Sequence, residues 1–252
     1  PEKRFNDGVS NYIYRIINLN GYKKSDEVWD ISPRMVEARK KFLGIKKSEY
    51  SKQSVVPYGM WTDRLKRFDF DKCDKNTLVF MGHLIEKQGV QLILKAMPQL
   101  IKKIPDLRFK IIGEGKYKDN LIMLAQKMNI YDHCIFLGKL DGSGVMEKEI
   151  AKSVVAVAPY IKSLDTWTYY ADPGKVKTYL ACGVPVLLTD IPWNSKGIVD
   201  RKCGLIITED ESDIINQVAW LMSKTNNQQY RKNAINYSRS FNYSNIFHNV
   251  EL

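Results

Sequence analysis

From Asn76 onward, short apolar runs alternate with stretches whose apolar positions recur three and four apart. Leu78-Val79-Phe80-Met81 ends at Gly82, and Val90, Ile93, Leu94, Met97 and Ile101 follow at helical spacing. Phe109-Lys110-Ile111-Ile112 ends at Gly113 and precedes a helix through Leu121, Leu124 and Met128. Cys134-Ile135-Phe136-Leu137 ends at Gly138, and the run Val154 to Ala158 ends at Pro159. Further strands are expected at Val184 to Leu188 and at Leu205-Ile206-Ile207, with a helix through Ile214, Ile215, Val218, Leu221 and Met222. Strands apolar on both faces, each followed by a helix, predict a parallel sheet with helices on both sides. The expected fold is therefore α/β and Rossmann-like.

Residues before about Arg64 read differently. An amphipathic segment from Tyr12 to Leu19 precedes a strand Glu27 to Ile31, a helix through Met35, Ala38 and Phe42, and a strand Ser54-Val55-Val56 entering Pro57-Tyr58-Gly59. Too few residues precede Trp29 to build a sheet, so this part is expected to be a partial second α/β domain.

Composition narrows the class of partner. With 44% hydrophobic and 27% charged residues in 252, the chain reads as an ordinary globular protein. No apolar run approaches the roughly 20 residues that span a bilayer, and no signal peptide is visible at Pro1. The four cysteines (Cys73, Cys134, Cys182, Cys203) lack paired metal spacing, and a reducing, cytoplasmic setting is expected. A formal charge of +11 calls for an anionic partner, either a phosphorylated ligand, nucleic acid or the inner face of an anionic membrane. The lysines are spread widely and no zinc-finger, basic-zipper or RNA-binding strand signature occurs, so nucleic acid is not expected. Peripheral contact with a membrane stays open. There is no Ser/His/Asp nucleophile set. Three histidines (His83, His133, His248) make a His-based metal site an unfavoured reading.

The chemistry concentrates in Asp172-Pro173-Gly174-Lys175-Val176-Lys177-Thr178-Tyr179-Leu180-Ala181-Cys182-Gly183-Val184-Pro185-Val186. It reads as a helix capped by Asp172, entered through Pro173 and closed by Gly183, then a buried strand. Its start presents backbone N–H groups beside Gly174, Lys175 and Lys177, which makes a phosphate or carboxylate cradle. Ligands of parallel sheets sit at the carboxyl ends of the strands. The loops expected there begin at Gly82, Gly113, Gly138 and Tyr160.

The segment from Pro173 to Val186 resembles the signature helix of GT-B glycosyltransferases, especially glycosyltransferase family 4, of the form Pro-x-Lys-x-x-Glu-Tyr-Met-Ala-x-Gly-x-Pro-Val. Thr178 stands where that family has a glutamate for the nucleotide ribose. Gly82-His83-Leu84-Ile85-Glu86-Lys87-Gln88-Gly89 resembles the family's Gly-Arg-Leu to Lys-Gly loop, whose Arg and Lys contact the donor diphosphate. His83 takes the Arg place, Gln88 takes the Lys place, and Lys87 stands one residue early. Gly113-Glu114-Gly115 resembles the family's Gly-x-Gly turn, and Gly138-Lys139-Leu140 the loop that meets the base. Tyr170 falls at the place of a further family glutamate, with Asp165 and Asp172 as substitutes, and Asp172 also reads as a plain helix cap. Trp167, Tyr169 and Tyr170 suit stacking on a base or covering an edge. Phe241 to Phe247 resembles the family's ending, where a last helix crosses back to the first domain.

The resemblance implies a GT-B C-terminal, nucleotide-sugar-binding domain at 64–240, a remnant of the acceptor-side domain and linker at 1–63, and a crossover segment at 241–252. It implies transfer of a sugar from a nucleoside-diphosphate sugar to a hydroxyl of a carbohydrate or lipid-linked acceptor, with retention and without metal or other cofactor. The implied donor-binding set is Gly82, His83, Lys87, Gly113, Gly115, Lys139, Asp172, Gly174, Lys175 and Thr178. Catalytic residues are left unassigned. The rival readings are a non-catalytic nucleotide-sugar-binding subunit completed by another chain and a nucleotide-sugar epimerase of the same architecture.

Overall fold

The computed structural model describes residues 8–50, 52–141, 144–164 and 167–248. The larger part is a six-stranded, all-parallel sheet formed by β3 (Thr77–Met81), β4 (Arg108–Ile112), β5 (Cys134–Gly138), β6 (Val155–Ala158), β7 (Val186–Leu188) and β8 (Gly204–Ile206). Its strand order, β5-β4-β3-β6-β7-β8, reverses direction between β3 and β6.

The apolar runs form strands because both sheet faces are covered. Leu78 and Phe80 point into a core shared with α3 (Val90–Lys103) and α8 (Glu211–Met222), whereas Val79 points into the opposite core with α6 (Gly174–Ala181). Val155 and Val157 divide from Ala156 and Ala158 in the same way. Each such side chain removed from water contributes about 1.5–3 kcal/mol. Helices α4 (Lys118–Lys127), α5 (Val145–Ala151) and α7 (Ser195–Asp200) complete the layers.

Helix α9 (Lys224–Ser238) packs on α6 with a largely polar face. Arg231 is buried and donates to the carbonyls of Ser153 at 3.0 Å, Ala151 at 2.9 Å and Phe68 at 3.1 Å. Asn227 donates to Val154 and Leu221, both at 2.9 Å. These side chains close off main-chain acceptors at the ends of neighbouring elements, as buried carbonyls require.

The partial second unit consists of α1 (Gly8–Lys24), β1 (Glu27–Asp30), α2 (Met35–Ala38) continuing as a π-helical turn Arg39–Leu43, and β2 (Lys52–Val55), which pairs in parallel with β1. Its core is Val28, Ile45 and Tyr50 with Leu19, Tyr22 and Leu43 against them. The buried Arg39–Asp30 ion pair is completed by the Gln53 amide and by Arg39 stacking over Tyr22 and Tyr50. Among the described residues, no helix is long and apolar enough to cross a membrane.

The segment from Val56 to Arg67 links the two units and runs along α6. The end of the chain returns to it. Asn242 bridges Met60, and helix α10 (Tyr243–His248) lays the Tyr243 ring 5.2 Å from that of Trp61. Phe241 belongs to the sheet's own core, so the returning segment is rooted in the larger unit.

Candidate functional site

The reversal between β3 and β6 opens a crevice at their carboxyl ends, where the loops after the two strands diverge. Those loops are tied together where Ile161 N–H donates to the Lys87 carbonyl at 3.0 Å. The loop after β4 packs on the loop after β3 by main chain: Leu84 N–H donates to Glu114 O at 2.9 Å, and Gly82 N–H to Ile112 O at 3.0 Å. A Cβ on Gly113 would lie 1.9 Å from the Gly82 carbonyl, at φ +134°, and one on Gly115 would lie 2.3 Å from that of Leu84. The Gly-x-Gly turn therefore serves close approach of two loops at the crevice wall.

Helix α6 begins at Gly174, and its cap residue makes no side-chain capping hydrogen bond. Its cap position is Pro173, one residue later than the expected Asp172. Gly183, at φ +74°, closes the helix as expected. Tyr179 pins α6 to the end of β3, its hydroxyl accepting from Met81 N–H at 2.7 Å, and burial pushes its phenol's pKa up.

Lys175 reaches from this first turn across the end of β3. Its ammonium donates to Gln88 Oε1 and lies 4.3 Å from the Phe80 ring centroid and 5.2 Å from that of Tyr160. A Cβ on Gly82 would come within 2.7 Å of it. Gly82, Gln88 and Lys175 thus meet at one spot. Thr178, one turn on, is half-buried and donates back to the Gly174 carbonyl at 3.1 Å.

Two residues of the expected cradle are placed elsewhere. Asp172 neither caps α6 nor faces the crevice: its side chain is 0% exposed and forms an ion pair with Lys177, itself 1% exposed. The same carboxylate accepts from Tyr58 N–H at 2.7 Å and from Trp193 Nε1–H at 3.3 Å, while Lys177 also donates to the Tyr58 carbonyl at 2.5 Å. A carboxylate left with a buried charge is satisfied by whatever donors the fold offers, and here the linker and α6 offer them. Burial lowers the Lys177 pKa against the opposing pull of Asp172. Neither partner is available to a ligand.

The remaining expected residues sit at the rim. His83 is exposed and Lys87 half-buried in the loop after β3. Lys139, three-quarters exposed, pairs with Asp141 at 2.9 Å, and that hydrogen bond raises its pKa. Asp165 lies outside the described residues. Trp167, Tyr169 and Tyr170 join the loop to the second unit. Phe42 stacks on Trp167 at 5.4 Å and meets Tyr170 edge-on at 5.5 Å. The Arg34 guanidinium covers Tyr169 at 3.9 Å and donates to the Tyr169 and Ile191 carbonyls at 3.0 and 2.8 Å. These rings cover an edge against the second unit. Tyr58, Trp193 and Arg34 carried no sequence signal for these roles; only the tertiary contacts reveal them.

Known proteins resemble this chain in sequence and share its fold. A mannosyltransferase of Mycolicibacterium smegmatis, the GDP-mannose-dependent alpha-(1-6)-phosphatidylinositol monomannoside enzyme, is 24% identical over 174 residues, covering 64% of this chain and 44% of that protein. The pneumococcal O-GlcNAc transferase GtfA, solved with UDP and GlcNAc, superimposes with a TM-score of 0.75 at 16% identity, over 95% of this chain and 46% of that one. HepE of Anabaena, solved with UDP, gives 0.72 at 14% identity over 96% and 66%. At such identities the structures speak for the fold, which is that of GT-B glycosyltransferases. The chain spans about half the length of curated relatives it matches, 44% and 48% in two cases. The profile of the glycosyl transferases group 1 family matches residues 63–241, which is most of the chain and all of the sheet, and the protein belongs to that family.

Proposed function

We propose that the chain is the donor-binding half of a glycosyltransferase that takes a nucleoside-diphosphate sugar, with the diphosphate between the Gly82 loop and the start of α6. The observation that carries this reading is Lys175, which sits over the end of β3 at the strand-order reversal, in the first turn of α6. Helix N-termini and fixed ammonium groups both favour anions, and they act most strongly on the charge that builds on a leaving diphosphate. The Mycolicibacterium relative is named for GDP-mannose and GtfA was solved with UDP, so both bases are candidates. Transfer to a hydroxyl of a carbohydrate or lipid-linked acceptor, with retention and without a metal, completes the proposal on the strength of the signature helix. The net charge of +11 suits an acceptor held at an anionic membrane surface.

A thermal-shift panel of UDP, GDP, their sugars and the bare nucleosides tests it. At a hundredfold excess over Kd, a bound diphosphate adds about 2.7 kcal/mol. For a chain this long that raises Tm by about 5–10 °C. No shift with any nucleoside diphosphate defeats the reading.

Thr178 gives a finer expectation. Its hydroxyl is turned back on the Gly174 carbonyl, and Asp172 is held by Lys177, Tyr58 and Trp193, so Asp172 does not substitute for the family's ribose glutamate. Thr178→Glu should tighten nucleoside-diphosphate binding by about tenfold, the low end for a charge-assisted hydrogen bond. The gain should vanish for a 2′,3′-dideoxyribose ligand. Equal changes for both ligands in calorimetry would remove position 178 from the ribose site.

A further inference from the structure

We infer that Gln88 is a positioning residue that aims the Lys175 ammonium at the diphosphate and makes the site count phosphates. The inference rests on the donor-binding reading above and assigns a role to a side chain outside it.

Gln88 lies half-buried in the short turn Glu86–Gln88 between β3 and α3, on a different element from Lys175. Its Oε1 accepts from the Lys175 ammonium, while the Phe80 and Tyr160 rings sit 4.3 and 5.2 Å from that nitrogen. A lysine has four rotatable bonds, and fixing them on ligand binding costs conformational entropy. Here the Gln88 oxygen and two ring faces help to hold the ammonium in place beforehand, which is how preorganisation raises affinity. The neutrality of the amide matters. A carboxylate at position 88 would orient the lysine but cancel its charge, and a second amine would repel it. A glutamine oxygen orients the ammonium without itself adding a counter-charge. Gly82 supplies the room, since a Cβ there would lie 2.7 Å from the ammonium.

A charge fixed at one point discriminates by the number of phosphates that reach it. Calorimetry with UDP, UMP and uridine, and the GDP series in parallel, tests this on the whole chain with Gln88→Leu, Gln88→Glu, Lys175→Ala and the double variant Gln88→Leu/Lys175→Ala. Gln88→Leu should weaken diphosphate binding about tenfold, the size of one lost charge-assisted contact, and leave nucleoside binding unchanged. Gln88→Glu should weaken it further, although Lys175 remains. In the Lys175→Ala background, Gln88→Leu should cost nothing more, because the pair acts as one unit. A merely structural glutamine would lower affinity for all three ligands alike and would do so in both backgrounds, and either result overturns the inference. So does undiminished UDP binding by Gln88→Glu. If the unaltered chain binds no nucleoside diphosphate, the parent reading falls and takes this one with it; if it binds and the Gln88 variants bind equally well, only this one falls.

Discussion

Lys177→Met should lower the free energy of unfolding by about 3–5 kcal/mol, the range found when one partner of a buried ion pair is removed. The Asp172 side chain is 0% exposed, so its charge has no route to water when Lys177 is gone. Tyr58 N–H at 2.7 Å and Trp193 Nε1–H at 3.3 Å would remain as donors, and they limit the loss without replacing an ammonium. The double variant Asp172→Asn/Lys177→Met should recover most of it, since a neutral amide beside a thioether carries no stranded charge. Urea denaturation of the unaltered chain and the two variants decides the matter. A drop below about 1 kcal/mol for Lys177→Met would mean that the pair is not desolvated as the geometry shows, because exposed pairs contribute no more than that. The effect is also expected to be local. Lys177 and Asp172 both grip the Tyr58 main chain, so the linker should become the first segment to lose amide protection.

That ion pair marks the boundary of what the sequence discloses. The six strands are visible in it because each is largely apolar on both faces, as strands of a doubly covered parallel sheet are. One strand starts late for a chemical reason: Pro185 has no N–H for the ladder, yet its carbonyl accepts from Ala156 N–H at 2.9 Å, so regular pairing begins at Val186. Helix α9 is hidden by the same logic inverted. Its buried face carries Asn227, Arg231 and Ser238 as well as Tyr230 and Ala234, and a face that buries polar groups leaves no apolar period to read. Asp172 before Pro173 has the local form of a cap, and local form gives no hint that a lysine five residues on and a tyrosine from the linker will surround it. Lys175 and Lys177 look alike in the sequence. They differ only by helical phase: two residues along α6 turn one toward the crevice and the other into the core. The glycines at Gly82 and Gly113 were legible as loop markers, whereas their use for loop-on-loop packing depends on strands far apart in the chain.

Lys175→Glu should weaken nucleoside-diphosphate binding by at least about a hundredfold. A unit charge about 4 Å from a phosphate contributes between about 1 kcal/mol in water and about 4 kcal/mol at the effective dielectric of a protein surface, and reversal turns that attraction into repulsion. The side chain also packs, with its ammonium over Phe80 and Tyr160, so charge and packing need separating. Lys175→Met keeps most of the stem and removes only the charge. It should cost about tenfold, close to one charge-assisted contact. The order unaltered, Met, Glu for the diphosphate, with uridine or guanosine binding little changed, would place the ammonium at the phosphates. Added salt should shrink the difference between the Met and Glu variants, since screening weakens charge effects and leaves packing untouched. Equal losses for diphosphate and nucleoside would instead mean that the substitutions disturb the end of β3 as a whole. An unchanged affinity for the diphosphate in Lys175→Glu would move the donor away from the start of α6 altogether.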